Sequence, residues 1–73
     1  MKEIDRHFLI FLGRKIRKER LVQSLSQERL GERAKLHRTY IGMIERGEKN
    51  ITVMNLRKIA DALGVEVKNL IDF

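Results

Sequence analysis

Residues 27–46, which read QERLGERAKLHRTYIGMIER, contain the pattern that decides the fold of this 73-residue chain. Apolar residues recur there at spacings of three and four, which is the period expected of helices with one buried face. The inward positions on this period are Leu30, Ala34, Leu36, Ile41 and Ile44. Gly31 is small enough to let two helices approach closely. The stretch therefore predicts two short helices, over about residues 27–35 and 38–46, joined by a tight turn.

The helical period continues on both sides of this pair, and no proline interrupts it. It predicts a first helix over about residues 4–22, a fourth over 53–63 and a short last helix over about 66–71. The apolar face of the first helix is formed by Ile4, Phe8, Phe11, Leu12 and Ile16. We therefore expect an all-α fold of five helices, in which residues 1–73 form one domain.

Capping residues stand at the predicted helix ends. Ser26 and Thr52 precede the second and fourth helices, where a hydroxyl can accept a hydrogen bond from an unpaired amide of the first turn. Gly47 and Gly64 follow the third and fourth helices, and glycine favours such ends because it tolerates a left-handed backbone. The caps and the apolar period therefore indicate the same helix boundaries.

The net charge of +6 is unevenly distributed along the chain. Residues 1–49 hold 13 Lys and Arg against 7 Asp and Glu, whereas residues 50–73 hold 3 of each. This asymmetry indicates a part that faces a polyanion and a neutral part with another role, although solubility alone also favours charge. The chain has no cysteine, and His7 and His37 are its only histidines. We therefore expect neither a metal site nor a cofactor.

The apolar run at residues 8–12 is far shorter than the ~20 residues that a membrane-spanning helix needs. No secretory signal is recognisable, so we expect a cytoplasmic protein with no membrane partner. Paired carboxylates and a nucleophile–base pair are not recognisable either, and the chain is too small for a substantial pocket. Neither catalysis nor a small-molecule substrate is expected.

The outward face of the third predicted helix carries groups suited to DNA. In a helix-turn-helix, the second helix of the pair enters the major groove with its N-terminal residues on base edges. Arg38 can donate two hydrogen bonds to guanine, Thr39 offers a hydroxyl and a methyl, and Met43 can contact a thymine methyl. Tyr40 either supports the packing or bonds a phosphate. An ordinary polar helix start is the alternative interpretation.

Four further residues are candidates for phosphate contacts, which position a protein without specifying sequence. Gln27 begins the second helix, where exposed amides favour an anion. Lys49, Asn50 and Thr52 lie in the loop and at the cap that follow the third helix. For Lys49 and Asn50 a solvated loop is the alternative. His37 is expected to be a turn or capping residue.

A set of motifs spans most of the chain, with LSQE at residues 25–28, IERG at 44–47 and LGV at 63–65. Through them, residues 12–73 resemble the lambda Cro/C1-type (XRE) helix-turn-helix family. The segments LHRTYI at 36–41 and IERGEKN at 44–50 are most similar to the controller proteins of restriction-modification systems. This resemblance implies a lambda repressor-like domain that binds an inverted-repeat operator in double-stranded DNA as a homodimer. It also implies control of the protein's own gene and of the endonuclease gene.

The resemblance implies a structural role for Arg20 and Glu45. Arg20 falls on the apolar face of the first helix, and in phage repressors of this type the equivalent arginine pairs with a glutamate near the end of the third helix. We expect an ion pair rather than a DNA contact, because an unpaired buried charge is costly. The chain departs from the family at Lys35, where the turn often has glycine, and at Gly31, which replaces a common alanine. Each is expected to cost about 1 kcal/mol.

Self-association and a contact with RNA polymerase are further implications. The candidate dimer interface is the apolar C-terminal segment, with Val65, Val67, Leu70, Ile71 and Phe73, which alternatively close the core. A dimer would place two copies of the third helix one DNA turn apart, ~34 Å. Glu28 and Glu32 match the acidic patch with which lambda-type repressors touch the polymerase sigma factor, although a solvated helix face is an equal alternative.

Two rival interpretations stay open. A phage-type repressor or an antitoxin-type regulator shares this chemistry and differs in the genes it controls. A helical protein–protein adaptor belongs to another class of function, and it predicts weak, sequence-independent binding to DNA. The sequence does not choose between activation and repression.

Overall fold

The computed structural model describes the backbone of residues 3–73 and the side chains of residues 5–73, so the predicted apolar side chain of Ile4 lies outside the described residues. The helices are α1 (Glu3–Val22), α2 (Gln27–Ala34), α3 (Arg38–Glu45), α4 (Val53–Leu63) and α5 (Val67–Leu70). No strand occurs in this part of the chain, and the predicted all-α fold is confirmed. None of the helices described is long and apolar enough to cross a lipid bilayer.

The predicted capping residues occupy their expected places. The hydroxyls of Ser26 and Thr52 accept hydrogen bonds from the backbone amides of Arg29 and Asn55, at 3.0 and 3.1 Å. Gly64 ends α4 in the left-handed region, with a φ of 70°. Because both ends of α4 are fixed in this way, its observed boundaries match the predicted ones.

Four residues predicted to lie within helices are caps instead. Lys35 ends α2 in a left-handed conformation, with φ 58° and ψ 42°, so the turn has the shape that glycine usually provides. Arg46 caps the end of α3, and Glu66 and Ile71 cap the start and the end of α5. Apolar periodicity does not distinguish a cap from the helical residue beside it, which explains these shifts of one residue.

The core is a single cluster of side chains from all five helices and the loop before α2. Its members are Leu12, Ile16, Leu25, Leu30, Ala34, Ile41, Ile44, Leu56, Ile59, Ala60, Leu63 and Leu70. The second helix packs against both α3 and α4, while α1 packs against α3. One face of α3 is therefore enclosed by its neighbours, and its opposite face is left for solvent.

Gly31 marks the closest approach of α2 to the turn that follows it. A Cβ at this position would overlap the carbonyl oxygen of Leu36. The Leu36 amide in turn donates to the Gly31 carbonyl at 2.9 Å. Since this neighbour is backbone and cannot move aside, the turn requires glycine here despite its low helix propensity.

The first turns of α1 differ from the prediction. Leu12 and Ile16 are buried as expected, but Phe8 and Phe11 are 48% and 49% exposed. Both rings pack against Phe73, with ring centroids 5.2 and 5.7 Å apart. Along α1, the buried core begins at Leu12. The apolar face of the helix therefore extends past the core toward the N-terminus. We refer to Phe8, Phe11 and Phe73 as the aromatic cluster.

The left-handed backbone of Lys35 generates a stability prediction. Glycine adopts this conformation without the steric cost of about 1 kcal/mol that lysine incurs. Lys35→Gly should therefore raise the free energy of unfolding by roughly 0.5–1 kcal/mol, measured by urea denaturation. The matched control is Lys18→Gly, at an exposed lysine within α1, which should lower it by about 1 kcal/mol. An equal decrease in the free energy of unfolding in both variants would contradict the left-handed conformation of Lys35.

Candidate nucleic-acid interface

An ion pair between Arg20 and Glu45 joins the end of α1 to the last turn of α3. Nε and Nη2 of Arg20 donate to the two carboxylate oxygens of Glu45 at 2.7 and 2.9 Å, and Nη1 donates to the Leu25 carbonyl at 2.7 Å. The Arg20 and Glu45 side chains are 9% and 2% exposed. Two parallel hydrogen bonds define an orientation as well as a distance. The structure thus contains the predicted pair, and the pair sets the orientation of α3 against α1.

The surroundings of Arg20 keep its side chain charged. The hydrogen bond with Glu45 raises the pKa of Arg20 above its ordinary value, burial opposes this rise, and attraction to the carboxylate adds to it. A cation with a raised pKa contributes stability that is complete below its ordinary pKa and is lost only as the pH rises through the higher value. That window lies above the physiological range, so Arg20 does not make the ion pair a pH switch.

Gln27, the first residue of α2, extends this network. Its Nε2 donates to Oε1 of Glu45 at 3.2 Å. The network therefore connects three helices and places the amide of Gln27 beside α3. We refer to Arg20, Glu45 and Gln27 as the brace.

The first turn of α3 presents the predicted base-contacting residues to solvent. Arg38 and Thr39 are exposed, and Met43, one turn later, is partly exposed. His37 caps the helix, because its Nδ1 accepts from the Thr39 amide at 3.0 Å. Nη1 of Arg38 donates to Oε2 of Glu28, on α2, at 2.8 Å. The arginine best suited to a base thus has an acidic partner on the neighbouring helix.

The two glutamates proposed for a polymerase contact both pair with arginines. Glu28 pairs with Arg38, and Glu32 pairs with Arg29 at 3.2 Å. All four side chains are more than half exposed. Exposed pairs of this kind contribute little to stability. A phosphate, a base or another protein can therefore replace either partner at low cost.

The predicted positioning residues on α3 and after it have different surroundings. Tyr40 is partly buried, and its hydroxyl oxygen accepts from Nδ2 of Asn55 at 3.0 Å, which links α3 to α4 and leaves the hydroxyl proton to donate. The hydroxyl of Thr52 caps α4. Lys49 and Asn50 are exposed in the loop between the two helices, as a phosphate contact requires.

Two residues at this surface were not predicted from the sequence. Arg46 is exposed, and its Nε donates to Glu48 at 3.0 Å. Gly42 is buried in the middle of α3, and a Cβ built on it would lie 3.1 Å from Arg46 Nη1 and 3.3 Å from Gln27 Oε1. Gln27 and Arg46 are far apart in sequence, so no motif or spacing signals that they approach the same glycine.

The residues predicted for a dimer interface differ in how far they are exposed. Leu70 is fully buried in the chain's own core, and Val65 and Val67 pack against that core. Ile71 and Phe73 are 41% and 53% exposed. An apolar groove of about 670 Å³ adjoins this surface, between α1 and the start of α4. Leu70 therefore has no exposed area to offer a partner.

Known proteins resemble this chain over most of its length. A family model described as helix-turn-helix matches residues 16–70. The control protein C.BamHI of Bacillus amyloliquefaciens is 49% identical over 65 residues, which cover 88% of this chain and 80% of that protein. The control protein C.SmaI of Serratia marcescens is 45% identical over 60 residues, which cover 82% and 71%. The structure of the restriction-modification controller protein C.AhdI from Aeromonas hydrophila matches with a TM-score of 0.84 and 39% identity, covering 85% of this chain and 94% of that one.

The burial of the ion pair generates a second stability prediction. Glu45→Gln removes the charge that compensates Arg20, and we expect the free energy of unfolding to fall by about 3 kcal/mol in a chemical denaturation experiment. The control is Glu48→Gln, which disrupts the exposed pair with Arg46 and should change stability by less than about 0.5 kcal/mol. If the two variants were equally stable, the pair would not be structural.

Proposed function

The chain belongs to the helix-turn-helix family, and on that premise we propose that it regulates transcription by binding a specific operator in double-stranded DNA. The observation that carries the proposal is the first turn of α3. Arg38 and Thr39 are exposed there, on a helix whose opposite face is held by the core and the brace. A helix held in this way can enter the major groove as a rigid unit, with its N-terminal residues on base edges.

Arg38 is the residue assigned to a guanine. Its guanidinium presents parallel donors that match O6 and N7 of the base. Glu28 holds this group through an exposed ion pair, which a guanine can replace at little cost. Thr39 and Met43 complete the base-contacting set, through a hydroxyl or methyl contact and an apolar contact to thymine.

Phosphate contacts position the protein on the duplex in this proposal. Gln27, Lys49 and Asn50 supply donors on either side of α3, Tyr40 supplies its hydroxyl proton, and Thr52 lies at the edge of the same surface. These contacts do not select a sequence. Together with the net charge of +6, they predict an affinity that depends strongly on salt.

The regulated genes are assigned to a restriction-modification system. The support is the similarity to control proteins, which extends over most of this chain and most of theirs. A phage-type repressor or an antitoxin-type regulator would use the same contacts with DNA, and the position of the operator in its gene neighbourhood separates these assignments. The proposed regulator acts in the cytoplasm and carries out no catalytic step.

The proposed active species is a homodimer formed through Ile71 and the aromatic cluster. Large apolar groups exposed together mark interaction surfaces. A second copy can cover them in a two-fold arrangement, in which the same patch serves both protomers. Leu70 is buried in the core and Val65 and Val67 pack against it, so they contribute less exposed area to that patch. Such a dimer would present two copies of α3 about 34 Å apart, as an inverted repeat requires.

Occupancy of an operator near a promoter either blocks RNA polymerase or recruits it. For recruitment, Glu28 and Glu32 are assigned to a contact with the sigma factor, because both are exposed on α2 beside the DNA-binding surface. When Arg38 turns to a guanine, the carboxylate of Glu28 loses its partner and becomes available. Activation would therefore follow from the same event that selects the operator.

A binding selection on random duplexes, repeated at several salt concentrations, tests the proposal. We expect an enriched inverted repeat, and an affinity that falls steeply as salt rises. Enrichment of a single half-site would remove the dimer from the proposal and keep specific DNA binding. An adaptor with no role on DNA predicts that no motif is enriched, and this result would overturn the proposal.

Two alanine substitutions separate base contacts from phosphate contacts. Arg38→Ala should weaken binding to the selected operator by about 1–3 kcal/mol and relax the preference at one base pair. Lys49→Ala should weaken binding to all duplexes about equally and reduce the slope of affinity against salt by about 1. Titrations on the operator and on single-base variants measure both effects. A loss of preference in Lys49→Ala alone would reverse the two roles.

A further inference from the structure

Gly42 lies in the middle of α3, on the side where α2 begins. A side chain built there would meet the ends of two polar groups, Arg46 Nη1 at 3.1 Å and Gln27 Oε1 at 3.3 Å. These atoms come from the cap of α3 and from the first residue of α2. Because Gly42 has no side chain, the guanidinium of Arg46 and the amide of Gln27 both lie close to its Cα.

The two side chains are each anchored on one side and have donors left on the other. Nε2 of Gln27 carries two N–H groups, of which one is donated to Glu45 in the brace. Nε of Arg46 donates to Glu48 in an exposed pair, and Nη1 lies 3.1 Å from a Cβ built on Gly42. The arrangement offers an amide N–H and guanidinium N–H groups close together, which suits the oxygens of one phosphate.

We infer that Gly42 is a positioning residue for DNA binding, because its missing side chain lets Gln27 and Arg46 contact the backbone phosphates from one place. This inference rests on the proposed function. It assigns to Arg46 a contact with a DNA phosphate. Any side chain at position 42 would weaken that contact.

Neither the backbone nor the core explains a glycine at this position. Gly42 lies in regular helix, and the described glycines with positive φ are Gly47 and Gly64. Glycine is a poor helix former, so a helix interior normally favours alanine. At Gly31 the neighbouring atom is backbone, but at Gly42 both nearest atoms belong to flexible side chains that can move aside. The fold therefore tolerates alanine at position 42, but the added methyl group displaces the side chains of Gln27 and Arg46.

This contrast gives the inference its test. Gly42→Ala should keep or raise the melting temperature, with an increase of up to roughly 4–8 °C expected from its helix propensity. The same variant should bind the selected operator about tenfold more weakly, with a salt slope smaller by about 1, because Arg46 is the one charged group displaced. A variant that binds as tightly as the wild type would overturn the inference and leave the proposed function intact. A fall in melting temperature with the loss of affinity would also overturn it, because the role would then be structural.

A double-mutant cycle shows whether Gly42 acts through its two neighbours. Gln27→Ala with Arg46→Ala removes both side chains, and adding Gly42→Ala to that background should then cost no further affinity. If the tenfold loss persists there, the added methyl acts directly on DNA and the inference is wrong. If the wild-type protein enriches no duplex in the selection, the proposed function fails first, and the inference fails with it.

Discussion

The hydrogen-bonded pair between Arg20 and Glu45 is the contact on which the geometry of the proposed DNA-binding surface depends. Apolar packing holds α3 in the core, but apolar attraction is not directional. Two parallel bonds from Nε and Nη2, with a third from Nη1 to the Leu25 carbonyl, restrict the orientation of the helix. A buried ion pair is not an efficient source of net stability, because desolvation offsets much of its attraction. Its contribution here is orientation, and the bond from Gln27 extends that orientation to the start of α2.

The ion pairs on the exposed surface differ from the buried pair of Arg20 and Glu45. Arg38, Arg29 and Arg46 each pair with a glutamate, and all of these pairs are open to solvent. Such pairs are readily exchanged because water and salt compete with them. The backbone of α3 is thus held by buried contacts, while the exposed arginines of α2 and α3 have partners that phosphates or bases can replace in the proposed complex. Because α3 is already held in place, binding would order fewer groups and so lose less conformational entropy. The exposed arginines would still be able to leave their glutamates.

The sequence was sufficient for the parts of this molecule that depend on local chemistry. Ser26, Thr52 and Gly64 cap where their side chains or backbone freedom predict, and the period of three and four identified Leu12, Ile16, Leu30, Ala34, Ile41 and Ile44 as core residues. The likeness to phage repressors gave the Arg20–Glu45 pair. Periodicity did not show that the core stops short of Phe8 and Phe11, because a helix keeps its apolar face past the end of the core. Nor did it show that Leu70 is internal, or that Gln27 and Arg46 meet over Gly42, since those contacts depend on how separate helices are packed.

A crystal structure of the protein on its selected duplex would test the central claim most directly. The claim is that α3, held by the brace, enters the major groove and contacts bases through its first turn. The structure should show Arg38 donating to O6 and N7 of a guanine at about 3 Å, with the Arg20–Glu45 bonds unchanged from the DNA-free protein. A complex in which α3 lies outside the groove, or in which Arg20 leaves Glu45 to bind DNA, would contradict the account.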